Sequence, residues 1–194
     1  NYLFRVYNNV LANNVSTHEG GGISLNDAPN VRVYNNTIAK NLTTATAMTS
    51  NGLPAPAGLS TSYHSSMLQA TLPVGASPFS DPLLFNNIFW DNRAGMWTGG
   101  GVAGIGQQGD PSPILHWDLG LGSGPGLLSP TYSLLHVPYG PGDPSNIVGL
   151  NPRFVAEYDS NVRVFPWRGN TNFVGADIVA LDLPPDLMGN YHLA

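Results

Sequence analysis

The chain has 194 residues, 42% of them apolar, with seven Lys and Arg, twelve Asp and Glu, and a formal charge of −5. That length supports one ordinary domain with a real core, whereas a charged fraction of 10%, far below the roughly 25% usual for soluble domains, calls for a surface that is polar without ionising. Lys40 is the single lysine, so no basic stripe exists for a phosphate backbone, which argues against a nucleic-acid partner, and no apolar run reaches the ~20 residues of a membrane span.

Cysteine is absent, which excludes disulfides and thiolate metal sites. The 23 glycines, 17 prolines and 20 asparagines favour turns over long helices. High Asn, Thr, Ser and Gly with almost no Lys suggests an extracellular or cell-surface protein. Asn1 has no preceding methionine or signal-peptide pattern, and the expectation is that a leader was removed or that the chain is a piece of a longer polypeptide.

In chain order, three segments superimpose: Val6-Tyr7-Asn8-Asn9-Val10-Leu11 through Asn14, Val33-Tyr34-Asn35-Asn36-Thr37-Ile38 through Asn41, and Leu84-Phe85-Asn86-Asn87-Ile88-Phe89 through Asn92. The first two lie 27 residues apart and the next two 51. An Ala-, Thr-, Ser- and Pro-rich stretch at about 43–81 reads as an insertion. A Gly-led strand follows the first and third Asn pairs at a similar offset: Gly20-Gly21-Gly22-Ile23-Ser24-Leu25 and Gly99-Gly100-Gly101-Val102-Ala103. Short apolar and aromatic runs of period two, broken by Asn and Gly, predict strands of three to five residues.

A period in the twenties with several short strands per unit predicts an all-β fold: a right-handed parallel β-helix, or solenoid, fragment of three to five coils with long irregular loops. Residues 1–119 are the expected coils with the 43–81 insertion. Residues 120–194, Pro- and Gly-rich to about Gly149, are an irregular coil and loop region packed on the same solenoid. Stacking places Asn8, Asn35 and Asn86 in one structural ladder at a bend, where Asn tolerates left-handed backbone and its amide bonds to the equivalent amide above and below.

These units resemble right-handed parallel β-helix repeat proteins, the pectin-lyase-like superfamily that includes pectate lyases and polygalacturonases. Asn146-Ile147-Val148 through Pro152-Arg153-Phe154-Val155 and Gly189-Asn190-Tyr191-His192-Leu193 are similar to the C-terminal part of bacterial exported β-helix proteins that often carry a C-terminal anchor domain. The resemblance implies a surface location and a carbohydrate or protein partner.

Four residues form the candidate catalytic set. His116 and Asp118 alternate along one strand and share a face, with Trp117 opposite. Asp91 and Arg93 flank Asn92 in the same manner, an acid beside a cation as in polysaccharide lyases. Asp91 and Asp118, on successive coils, are the carboxylate pair that a glycoside hydrolase would need. Only two glutamates, Glu19 and Glu157, are present, so the acidic cluster of a calcium-dependent lyase is missing; calcium enters only under the lyase reading, and otherwise no cofactor or metal site is expected. His18-Glu19 reads as a solvated turn. Tyr2, Tyr7, Tyr34, Phe85, Phe89, Trp90 and Trp97 either fill the interior or form a stacking platform for sugar rings.

The leading expectation is an exported β-helix module with a structural or binding role toward a polysaccharide or another protein subunit. The rivals are a carbohydrate-active enzyme, lyase or glycoside hydrolase, and a subunit of an extracellular filament or complex. Convergence of three or more of the four candidate side chains in one exposed groove along the helix face favours an enzyme; dispersed positions, or burial of His116, favour the module.

Overall fold

The computed structural model describes residues 2–164, 179–182 and 189–194; the expectation for residues 120–194 therefore lies partly outside the described residues. The chain is all-β with mostly parallel sheets. The first repeat unit contributes β1 (Phe4–Tyr7), β2 (Val10–Ala12), β3 (Val15–Ser16) and β4 (Ile23–Leu25). The second contributes β5 (Val31–Tyr34), β6 (Thr37–Ala39), β7 (Leu42–Thr43) and β8 (Leu59–Thr61), followed by the one-turn helix α1 (Ser66–Gln69). The third contributes β9 (Leu83–Phe85), β10 (Ile88–Trp90) and β11 (Arg93–Ala94). The hairpin β12 (Met96–Trp97) and β13 (Val102–Ala103) then precedes β14 (Leu119–Leu121).

Equivalent strands pair in parallel and in direct register. Val6 aligns with Val33 and Leu84, Leu11 with Ile38 and Phe89, Val15 with Leu42 and Arg93, and Ile23 with Leu59 and Leu119. Residues 120–149 are not all loop: β15 (Leu134–Leu135) and β16 (Ile147–Val148) extend the β2–β6–β10 sheet. Beyond them lie two antiparallel pairs, β17 (Phe154–Ala156) with β20 (Asn190–Leu193), and β18 (Asn161–Val164) with β19 (Val179–Asp182).

Strand alternation explains the core. Val33, Ile38, Leu59, Leu84, Phe89, Leu119 and Leu135 are buried in one continuous cluster, each contributing ~1.5–3 kcal/mol by area removed from water. A smaller cluster gathers Leu42, Val102, Ile105 and Val162 on the other side of the β3–β7–β11 sheet, with Val15 and Trp97 against it. The hairpin and the C-terminal segment therefore cover that outer face.

The Gly99 triplet does not build a stacked strand. Val102 pairs antiparallel with Trp97, and the strand aligned with Ile23–Leu25 in the third unit is Leu119–Leu121, through Leu59–Thr61. The reason is steric. A Cβ on Gly22 would lie 2.6 Å from the Gly58 carbonyl oxygen and one on Gly58 2.2 Å from that of Asp118, so there glycine permits backbone to pass over backbone. A Cβ at Gly99, Gly100 or Gly101 would meet nothing within 4 Å, and Gly99, at φ 81°, only turns the hairpin.

Candidate functional site

Two bends in each unit organise the polar interior. At the first, Asn8, Asn35 and Asn86 hold φ of 56°, 56° and 54°, and Asn86 Nδ2 donates to Asn35 Oδ1 at 2.7 Å. Tyr132, at φ 49°, follows Thr131, the bridge partner of Phe85, and so takes the next place in this exposed row. The more extensive column is built by the second asparagine of each pair. The Asn9 amides donate to Asn36 Oδ1, those of Asn36 to Asn87 Oδ1, the Asn87 backbone N–H to Ser133 Oγ, and that of Ser133 to Asn146 Oδ1. Asn36 Nδ2 and Asn87 Nδ2 also donate to the carbonyls of Val6 and Val33. The sequence reading places the ladder on the first Asn of each pair; the second Asn recurs just as regularly, and only strand geometry shows that it is the one turned inward.

At the second bend, Asn13, Lys40 and Asp91 are stacked with φ of 58°, 54° and 53°, and a second buried column runs behind them. Asn14 donates to Asn41 Oδ1, Asn41 to Asn92 Oδ1, and Asn92 Nδ2 to Asp118 Oδ1 at 2.9 Å. Asp118 Oδ2 accepts from the His136 backbone N–H. Asp118 is 2% exposed, and burial, outweighing these hydrogen bonds, raises its carboxyl above the usual carboxylate value.

Arg93, Asp91 and His116 come together outside this column. The 115–117 segment runs antiparallel beside residues 92–94, with Trp117 N–H on the Asn92 carbonyl and Ala94 N–H on that of Leu115. This pairing brings His116 Nδ1 to 3.3 Å from Asp91 Oδ1, although that nitrogen is buried and makes no aligned hydrogen bond. Arg93 grips Asp91 in bidentate fashion, Nε to Oδ1 at 2.8 Å and Nη2 to Oδ2 at 2.6 Å. Lys40 Nζ reaches Asp91 Oδ2 at 3.0 Å. Burial alone would raise the Asp91 carboxyl, but His116, Arg93 and Lys40 hold it well below the ordinary carboxylate range. The attached acids raise Lys40 and Arg93 in turn, against the burial that lowers both.

The cluster continues into the C-terminal segment. Asp159 Oδ1 accepts from Lys40 Nζ at 2.6 Å and from Arg93 Nη2 at 3.0 Å, and Glu157 lies 3.6 Å from Lys40. Asn13 donates to the Tyr158 carbonyl and to Ser160 Oγ, and the Tyr191 hydroxyl donates to Asn13 Oδ1. The stacked Asn13, Lys40 and Asp91 thus form a ledge on which residues 157–160 and Tyr191 are fastened.

His136 completes the surroundings. Its Nδ1 accepts from the Asp91 backbone N–H at 3.2 Å, and its ring packs on Trp90 at 4.2 Å and His116 at 4.0 Å. Burial first, then His116, lowers its pKa below the usual histidine value. Ligand atoms of Asp91, His116 and His136 lie within 4.8 Å of one another, a spacing that three donors to a cation could share. Arg93 and Lys40 already occupy both Asp91 oxygens, however, and a divalent ion would have to displace two nearly buried cations. Lys40, His136 and Asp159 were not singled out from the sequence, because only the 27- and 51-residue register, together with the long return of the chain, brings them here.

Compared with protein-family models, with curated proteins and with solved structures, the chain matches none.

The other sequence candidates lie apart. His18 Nδ1 is 3.9 Å from Glu19 Oε2, on the wall of a cleft of about 310 Å³ that includes Asn51 and Ser123. Among the aromatics, Phe89 is core and Trp90 is taken up by His136. Tyr7, Tyr34 and Phe85 stack on one another at 5.2 and 4.8 Å, within 4° of parallel. Both faces of Tyr34 and one face each of Tyr7 and Phe85 are covered in this way, so the column presents mainly ring edges. Among the described residues, no helix is long and apolar enough to cross a membrane.

Proposed function

We propose that the chain is a right-handed parallel β-helix module of the pectin-lyase-like kind, exported or held at the cell surface, that works by binding or supporting a polysaccharide or another protein subunit. Four sets of strands aligned in parallel register at each repeat support the solenoid reading. Right-handedness follows from the strong bias of parallel strand connections toward that hand.

The observation that carries the non-catalytic reading is the closure of the ion cluster. Three of the four candidate residues, Asp91, Arg93 and His116, converge, but in an interior seam with Asp91 and Arg93 side chains each only 10% exposed. A general base needs an accessible lone pair and a proton affinity matched to the reaction. Asp91 has both oxygens engaged and its carboxyl pushed far down, while Asp118 terminates an asparagine column beyond the reach of solvent. Arg93, gripped by Asp91 and Asp159 and held above its ordinary value, does not supply the free guanidine that a lyase base requires.

The test is incubation with a panel of acidic and neutral glycans, with and without calcium, followed by chromatography for products and calorimetry for binding. Binding without product is the expected result. Release of unsaturated or reducing ends that disappears in Asp91→Asn or Asp118→Asn would overturn the reading in favour of a lyase or glycoside hydrolase.

A further inference from the structure

The stretch that follows β8 folds back on itself and shapes a small cavity that shares no residue with the ion cluster. His64 N–H donates to the Pro78 carbonyl at 2.9 Å and Ser80 N–H to that of Ser62 at 3.0 Å, with Tyr63 and Phe79 as an antiparallel bridge between them. Beside this pairing lies a cavity of about 250 Å³, with Leu72, Pro73 and Phe79 as apolar walls and His64 and Asp81 as its titratable groups. No lysine or arginine lines it.

His64 is the unusual member. Its side chain is 1% exposed, yet its Nδ1 is buried without a hydrogen bond, and its Nε2 has no partner among the described residues. Buried polar side chains are normally satisfied, so an imidazole with both nitrogens unbonded calls for an explanation. Asp27 Oδ1, held by the Ser65 N–H at 2.6 Å, lies 3.8 Å from His64 Nδ1. Its charge favours the ring proton on that nitrogen, which leaves the Nε2 lone pair as an acceptor for the cavity.

Asp81 is the second acceptor. Among the described residues its carboxylate meets no donor and no cation, and burial, with nothing to offset it, raises its carboxyl above the ordinary carboxylate value. Two acceptors, no resident donor and hydrocarbon walls describe one complementary shape: a compact positive head with several N–H groups on a short apolar body. Water would satisfy the polar end but leave the Asp81 charge unopposed and the walls unfilled.

We infer that this cavity binds a small organic ammonium, its N–H groups donating to His64 Nε2 and Asp81 and its hydrocarbon part against Leu72, Pro73 and Phe79. The site is separate from the surface by which a module would hold a polysaccharide or subunit, and it stands whether or not that reading does. A transition-metal ion fits less well, since a single imidazole and a single carboxylate line the cavity, short of the three or four strong ligands such ions take.

The experiment is titration of the unaltered chain and of Asp81→Asn with benzylamine, benzyl alcohol, benzyltrimethylammonium and benzoate, read by calorimetry and by the ring-nitrogen resonances of His64. Benzylamine should bind at least tenfold more tightly than benzyl alcohol, and at least tenfold more tightly than benzyltrimethylammonium, which has the charge without the N–H donors. Benzoate should not bind. The His64 Nε2 resonance should move further on saturation than that of any other histidine. Asp81→Asn, at an exposed position, should keep its melting temperature and lose at least tenfold in benzylamine affinity. Benzyl alcohol or benzyltrimethylammonium binding as tightly as benzylamine overturns the ammonium as ligand. Unaltered affinity in Asp81→Asn, or an unmoved His64 resonance, overturns the site. Zinc that displaces benzylamine and shifts the same resonance makes this a metal site and overturns the inference as well. Silence toward benzylamine and butylamine alike overturns it outright and leaves the cavity to water.

Discussion

Asn92 donates its side-chain amide to Asp118 across 2.9 Å, which makes an aspartate the last member of a column of asparagines that begins at Asn14. A carboxylate suits that end because it accepts on both oxygens, from Asn92 below and from the His136 N–H beyond. Asp118→Ala would leave two inward donors without acceptors, at a cost of about 2–4 kcal/mol in urea unfolding. Its titration gives a second signature. The folded state holds the Asp118 proton more tightly than the unfolded chain, whose value is near 3.8. This group therefore favours folding in acid and withdraws that contribution as pH rises from 3.8 through the raised value. The alanine variant should lose that component of the stability profile.

Adjacent asparagines in one unit should behave differently. Asn35 is exposed and left-handed at φ 56°, a conformation that glycine adopts freely, so Asn35→Gly should change stability by less than about 1 kcal/mol. Asn36 is 2% exposed, accepts from Asn9, and donates to Val6, Tyr34 and Asn87. Asn36→Ala should cost about 3 kcal/mol, measured as a fall in the urea midpoint at constant slope. Equal effects at the two positions would mean that the inner column is not what joins the rungs.

The pattern of Asn pairs made the stacked strands and their register legible, because backbone stacking requires the same residue at the same place in each unit. Which asparagine of a pair faces inward was not legible: both recur, and only strand geometry separates an exposed left-handed corner from a buried amide column. The glycine triplets misled for a related reason. Gly20–Gly22 and Gly99–Gly101 are alike as letters, but one lies under another backbone and the other has empty space around it. Asp91 and Arg93 were visible as neighbours on one face; Lys40 was hidden as a single residue in a variable position, and His136 and Asp159 lie in segments without a repeat.

That contrast among glycines yields a direct comparison. Gly58→Ala would drive a Cβ to 2.2 Å from the Asp118 carbonyl oxygen and 2.9 Å from Asn92 Nδ2, so the rungs must part. The expected loss is about 3 kcal/mol or more, in the range of other overpacked cores. Gly100→Ala meets nothing within 4 Å and should be within about 0.5 kcal/mol of the unaltered chain. Thermal melts of the two variants decide whether close passage of backbone, rather than flexibility, is what glycine provides at position 58.

The ledge of Asn13, Lys40 and Asp91 should make attachment of the C-terminal segment dependent on pH. Asp91 is held far below its unfolded value of 3.8, so its contribution is fully present above that value and drains away as pH falls toward the depressed one. His136, held below its ordinary 6.5, adds to the loss on the acid side, since the unfolded chain takes up that proton first. Lys40, raised above 10.5, contributes fully below 10.5 and is lost as pH climbs through its elevated value. The contribution of these ledge groups should therefore be flat from about pH 6.5 to 10 and decline beyond either edge. Asp91→Asn leaves Arg93 with Asp159 and Lys40 with Asp159 and Glu157 as their remaining acids, and should cost about 3 kcal/mol at neutral pH, as expected for a broken buried pair, while flattening the acid limb. Asp159→Ala, at a side chain 59% exposed, should leave the global melt nearly unchanged and instead speed hydrogen exchange at residues 157–160. Unchanged exchange there in both Asp91→Asn and Asp159→Ala would show that Asn13 and Tyr191, rather than the ion cluster, hold the segment in place.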